Sequence, residues 1–334
     1  DLHSFPTRRS SDLHIVGTDA VVLFTPTSGR LQTIARKGAG PGEVSRVFQA
    51  WVGRGDSIVT WDFGNRRVQF FSPDGRYVRA ASLDARVFGL GTFPIGPLPD
   101  GNLLLVSRSG MVATDLPPGR DSATYFRLSP DSLRVVDTLA VLPDLDRYTV
   151  HLTFGGQAVN QRQVMPFGRS TDVSTTTSGF IVADNGSWEI REYDAAGKLT
   201  NAVRRDVPAQ PVATGDVDEY RRKFEEVMKR DKAMPPELVT QLIADSKTAP
   251  HGSLLPVFLG ARKGLDGTTW VRHYDLLEKA PSETFSVFEP SGRYLGDVTL
   301  PDDTKLAAVG ADYILLIEST SEGGPVIRRH PLMK

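Results

Sequence analysis

Short runs in which apolar and polar residues alternate fill most of the chain, and turns rich in Asp, Gly and Pro separate them. Alternation with a period of two is the mark of strands buried on one face. Two stretches show the unit most fully. Ile58 to Arg76 (IVTWDFGNRRVQFFSPDGR) and Phe180 to Lys198 (FIVADNGSWEIREYDAAGK) superpose without a gap at an offset of 122 residues. Asp62 meets Asp184, Gly64 meets Gly186, Val68 meets Ile190, Phe71 meets Tyr193 and Gly75 meets Gly197. Each copy predicts a strand, a turn on Asp and Gly, a second strand, and a tight turn closing on Gly plus a cation. Glycine supplies the positive φ such turns need, and Asp side chains bond neighbouring amides. The recurrence of Asp62 and Asp184 at one repeat position assigns both to turn capping.

The second half of the unit recurs further. Phe288-Glu-Pro-Ser-Gly292-Arg293 repeats Phe71-Ser-Pro-Asp-Gly75-Arg76; Leu128-Ser-Pro-Asp-Ser132 and Phe24-Thr-Pro-Thr-Ser-Gly29-Arg30 are variants. A degenerate strand pair spans Tyr313 to His330. The anchors Phe24, Phe71, Leu128, Tyr193 and Phe288 lie 47, 57, 65 and 95 residues apart. Intervals of this length suit four-stranded propeller blades with added loops. A β-sandwich would not regenerate one hairpin at blade-length intervals. The expected fold is therefore all-β, a six-bladed β-propeller formed by residues 14–334.

One region departs from the β pattern. Val217, Tyr220, Phe224, Val227 and Met228 fall at helical spacing, with Asp216 and Glu219 placed to cap the N-terminus. Pro235-Pro236 ends this helix and starts another through Val239, Leu242 and Ile243. A short helical insertion over about 215–247, between blades four and five, is expected. Its apolar stripe either packs on the propeller or covers the mouth of the central channel.

Composition narrows the function classes. With 39 Lys+Arg against 40 Asp+Glu, the formal charge of −1 offers nothing to nucleic acid or an anionic membrane. No apolar stretch is long enough to span a bilayer as a helix. The absence of Cys excludes disulfides, thiolate metal sites and Cys nucleophiles. Asp1 to Leu13 (DLHSFPTRRSSDL) reads as the in-frame translation of a common sequencing-adapter oligonucleotide. It is expected to be a non-native, disordered tail that hides the natural N-terminus and any export or lipid-anchor signal.

Gly38-Ala-Gly-Pro-Gly-Glu43 resembles the G-x-G-P-G-E-F signature after the first outer strand of bacterial six-bladed propellers of the NHL/TolB-like type. Pro166-Phe-Gly-Arg169, Trp188 to Tyr193, Thr269 to His273 and Val326 to Leu332 are similar to other stretches of that group. Val44 departs from it where an aromatic is usual, and Glu318 to Pro325 lacks the usual acidic-glycine hairpin. The resemblance implies a bacterial periplasmic or extracellular protein of a family largely without assigned activity. In the glycine loop itself, Gly frees the backbone, Pro fixes it, and Glu43 accepts from nearby amides. Neither a dinucleotide fingerprint nor a P-loop ending is present, so the loop is read as structural.

Catalytic motifs are missing: there is no G-x-S-x-G elbow and no H-E-x-x-H. The histidines outside the tail, His14, His151, His251, His273 and His330, are scattered. Residues from separate blades can converge on a channel, so His251, His273 and Asp275 are candidate ligand-binding residues at its mouth. Arg169 is a fourth, suited to a carboxylate or phosphate; its other reading is an ion pair between blades. Trp61, Trp188 and Trp270 are assigned to packing between blades.

The expected function is a non-catalytic, monomeric, extracytoplasmic scaffold that binds a protein or a small ligand at the channel mouth. No cofactor is implied. The alternative is a metal-dependent hydrolase or lyase of lactonase-like character, with Ca or Zn held in the channel by three or more convergent ligands.

Overall fold

The hairpins fold where the turns place them. The computed structural model of the protein describes residues 3–6, 13–17, 20–25, 30–108, 116–132, 134–232, 234–275, 282–319 and 325–332. Their strands form six sheets, and within each sheet the strands follow one another in chain order. The second sheet comprises Val47–Val52, Ile58–Asp62, Arg67–Phe71 and Tyr77–Ser82; the fourth, Thr171–Thr175, Gly179–Asp184, Glu189–Asp194 and Leu199–Arg204. Gly260–Lys263, Thr269–Arg272, Thr284–Phe288 and Tyr294–Thr299 make the fifth. Described strands pair antiparallel, save Arg30–Lys37 with Glu43–Val44, which run parallel in the first sheet.

The repeat extends to register. Phe71 pairs with Tyr77, Tyr193 with Leu199 and Phe288 with Tyr294, each after a one-residue bulge at the same point of the hairpin. Gly75, Gly197 and Gly292 close the three turns at φ of 83°, 81° and 86°, a region that favours glycine. In the Phe24 variant, residues 26–29 lie outside the described ones, as do 320–324 of the degenerate pair near the C-terminus.

Apolar residues on facing sheets make the core, and each large side chain buried there contributes about 1.5–3 kcal/mol. Trp61 and Val68 of the second sheet meet Leu103 and Leu105 of the third (Thr92–Pro97, Leu103–Arg108, Gly119–Ser129, Arg134–Phe154, Gln157–Val164). Ile181 and Ile190 of the fourth meet Ala261 and Val271 of the fifth, with Trp188 against Phe258 and Phe288. Trp270 packs with Phe285 toward Leu306 and Leu316 of the sixth sheet (Thr304–Val309, Tyr313–Ser319, Pro325–Pro331). Trp61, Trp188 and Trp270 thus join neighbouring sheets.

Asp62 is fully buried and accepts hydrogen bonds from the amides of Ser45 (3.2 Å), Arg46 (3.1 Å) and Asn65 (3.3 Å) and from Asn65 Nδ2 (2.7 Å). Asp184 accepts from Gly186 N and Arg120 Nη2, both at 2.9 Å. The glycine loop joins the first sheet to the second: Glu43 Oε2 accepts from Gly40 N at 2.7 Å, while Arg67, Gln69 and Asn65 donate to loop carbonyls.

Helices Thr214–Arg230 and Pro236–Ser246 lie in chain order between the fourth and fifth sheets, within a residue or two of the expected 215–247. Asp216 Oδ2 accepts from Ala213 N at 3.1 Å, and Pro236 opens the second helix. One finding was not foreseen. Arg134–Phe154 runs for 21 residues and turns back through Gly155-Gly156 into Gln157–Val164. Phe224, Met228, Leu238 and Leu242 of the helices cover Tyr148, Val150 and Leu152 of this projecting hairpin. Gln241 caps its edge, accepting from Thr153 N (2.7 Å) and donating to Thr153 O (2.8 Å). His3–Pro6 pairs antiparallel with Leu13–Gly17. An unpaired strand edge offers amides and carbonyls to any chain that reaches it.

Candidate functional site: a central cavity

The first strands of the second to sixth sheets surround a cavity of about 480 Å³. Alternation along these strands sets what faces it. In Thr171-Asp-Val-Ser-Thr175, Thr171 and Val173 are buried, and Val173 packs toward the third sheet. Asp172 and Ser174 point the other way, since side chains in a strand alternate. Asp172 leans over the fifth sheet, where Ala261 N donates to its Oδ2 at 3.4 Å. In Gly260-Ala-Arg-Lys263, Arg262 leans over the sixth sheet in the same sense, and its Nη1 donates to Leu306 O (2.8 Å) and Ala307 O (3.2 Å). Lys263 reaches back to Glu192 at 2.5 Å. Trp51, Pro97, Leu98, Ala308 and Val309 give the wall apolar surface; Gln49, Ser174 and Thr175 give it an amide and two hydroxyls.

Asp172 and Arg262 are solvent-exposed within the cavity, with protein packed closely around them. Loss of bulk water pushes the Asp172 carboxyl up, opposed by the Ala261 amide, Arg262 and Arg108. The same burial lowers the Arg262 guanidinium, opposed by Glu283 and Asp172. No ion pair within 4.0 Å joins these two residues.

The four residues singled out from sequence lie elsewhere and do not line the cavity. Arg169 precedes the first strand of the fourth sheet, where its Nε and Nη2 reach Asp146 of the third at 2.9 and 3.2 Å. Burial pushes Asp146 up, but the Arg169 side chain and amide outweigh it and hold the carboxyl below its ordinary value. His251 is exposed, with Nδ1 2.8 Å from Gly252 O. His273 Nε2 is 2.9 Å from Ser286 Oγ, which donates to Asp297 Oδ1 at 2.8 Å. The serine occupies the middle of this chain and is 1% exposed, so its proton goes to the carboxylate and no substrate reaches it. A nucleophilic triad instead needs the histidine in the middle. Asp275 adjoins Tyr274, which packs with Phe167, Val217 and Tyr220 beneath the first long helix. Among the described residues no group of three or more His, Asp or Glu stands where it could hold a metal ion. None of the cavity-lining residues belongs to either long helix.

Sequence reasoning missed Asp172 and Arg262. The signal was a charged residue in alternation within each inner strand, but their approach depends on how separate sheets sit side by side.

No protein-family model matches the chain, and no curated protein matches its sequence. Solved structures do. A Bacteroides fragilis protein whose name marks it as a candidate for export aligns over 97% of this chain and 88% of its own, at 12% identity and a TM-score of 0.54. A Bacteroides vulgatus member of the DUF4221 family aligns over 99% and 92%, at 10% identity and a TM-score of 0.52. At such identities the likeness establishes the fold alone, and that fold is β-propeller-like.

Proposed function

We propose that this chain is a six-bladed β-propeller of the NHL/TolB-like type, each sheet a blade and the helix pair an insertion between blades four and five. It works outside the cytoplasm as a monomeric, non-catalytic scaffold that holds a small ligand in its channel. One observation carries this reading: a cavity of about 480 Å³ walled by five inner strands, within the size range of small-molecule sites. The name of the B. fragilis neighbour supports an exported location. Arg169, His251, His273 and Asp275 each have protein partners, so the ligand is assigned to the cavity in preference to them. Asp172 is the single carboxylate among the cavity-lining residues, and no histidine joins it, which favours binding over metal-dependent chemistry.

The test is a melting-temperature screen of the full chain against amino acids, peptides, sugars, nucleosides and lactones, with each stabilising compound recovered and weighed by mass spectrometry. A ligand bound to the folded state alone raises stability by mass action, about 2.7 kcal/mol at a hundredfold excess over Kd. A stabilising compound recovered intact is the expected result. Its conversion to product would replace this reading with the enzymatic one.

A further inference from the structure

Four charged residues line the cavity, Arg54, Asp172, Arg262 and Lys263; Lys263 is paired with Glu192, and Asp172 and Arg262 face one space without pairing. Asp172 receives a long bond from Ala261 N at 3.4 Å and an approach from the Val173 amide, which leaves acceptor capacity open. Arg262 spends Nη1 on two carbonyls of the sixth sheet, and Nε and Nη2 make no hydrogen bond to any described residue. The strands that carry them are neighbours: a Cβ built on Gly260 would lie 2.9 Å from Asp172 Oδ2. We infer that the cavity is a site for a small zwitterion, a free α-amino acid or short peptide, with its ammonium on Asp172 and its carboxylate on Arg262. This rests on the binding reading above and specifies its ligand.

Other ligand classes fit these charges less well. A simple anion would satisfy Arg262 but leave Asp172 without a cation and facing a like charge, and a simple cation on Asp172 would meet Arg262 and Arg54 on the same wall. A neutral sugar would strip water from both charges and return no counter-charge to either. A zwitterion re-pairs both at once. Trp51, Leu98 and Val309 offer an apolar side chain contact on the same wall, while Ser174 and Thr175 can bond a peptide unit.

Four probes separate the possibilities by calorimetry on the full chain: leucine, leucyl-leucine, leucinamide, which keeps only the ammonium, and N-acetylleucine, which keeps only the carboxylate. Leucine or leucyl-leucine is expected to bind. The one-charge analogues should bind more weakly by about 10- to 100-fold, the range for losing a hydrogen bond to a charged group. The better of the first two tells a free amino acid from a peptide. Asp172→Asn should weaken the zwitterion while sparing N-acetylleucine, and Arg262→Gln should spare leucinamide. If either variant fails to fold, the wild-type ranking decides alone. Equal binding of leucine and N-acetylleucine would overturn the inference. So would a sugar or nucleoside that stabilises the chain where no zwitterion does, although the binding scaffold would then stand. Silence across the whole screen would overturn both.

Discussion

Replacing Asp62 by Ala tests whether this one carboxylate fastens the first sheet to the second. It is fully buried, accepts from three amides and one side-chain nitrogen, and lies 3.6 Å from Arg67 Nε. Alanine leaves those donors without an acceptor and with little access to water. Removing one member of a buried charge pair costs about 3–5 kcal/mol, and the stranded amides put this site inside that range. At about 2 °C per kcal/mol for a chain of this length, melting should fall by about 6–10 °C. Asp184 is the internal control. It occupies the same repeat position but is 30% exposed and accepts from one amide and one guanidinium, so Asp184→Ala should cost about 1–2 kcal/mol. Urea denaturation of both variants, with unchanged m-values, reads the difference directly. Equal losses at the two positions would refute the argument, because they would make the turn itself, and not the bonds it gathers, the source of stability.

Gly75→Ala combines a φ of 83° with a Cβ 2.3 Å from Ile34 Cγ2 and should destabilise by about 1–3 kcal/mol. Gly197→Ala meets Leu139 Cδ2 only at 3.2 Å and should lose about 1 kcal/mol, so urea midpoints of the pair should rank in that order. Gln241→Ala releases both backbone groups of Thr153, and faster hydrogen exchange at that amide, with melting nearly unchanged, is the expected outcome. The Tyr125 hydroxyl is buried beside Arg108 with no well-aligned hydrogen bond among the described residues, and burial outweighs Arg108 to push its pKa up to about 12. Unfolded tyrosine ionises near 10, so stability is intact below that pH and drains away as pH rises through about 12. Tyr125→Phe should flatten this alkaline decline and leave neutral stability the same or slightly higher; an unaltered decline would exclude Tyr125 as its source.

The repeat was legible because its chemistry is local. A turn closing on Gly75, Gly197 or Gly292 needs only a handful of consecutive residues, and Asp62 and Asp184 reveal their capping role by recurring together. The helices were legible for the same reason, through the spacing of Val217, Tyr220 and Phe224. The projecting hairpin escaped notice even though Tyr148, Val150 and Leu152 alternate before Gly155-Gly156, because it interrupts the repeat without resembling it. The cavity lay further out of reach. Asp172 and Arg262 belong to different sheets, and only lateral packing of those sheets brings them to one space. His273 likewise gained Ser286 and Asp297 from strand register, which spacing along the chain does not encode.

The shared bulge and turn at Phe71, Tyr193 and Phe288 make the outer hairpins interchangeable parts. Their sequences serve the joint between strands, whereas the cavity is walled mainly by the first strands of five sheets. The residues that join the strands and those that wall the cavity are therefore largely separate sets. Mutation at Asp172, Ser174 or Arg262 leaves the hairpin turns untouched, while Glu192 of an outer hairpin holds a cavity side chain through its pairing with Lys263.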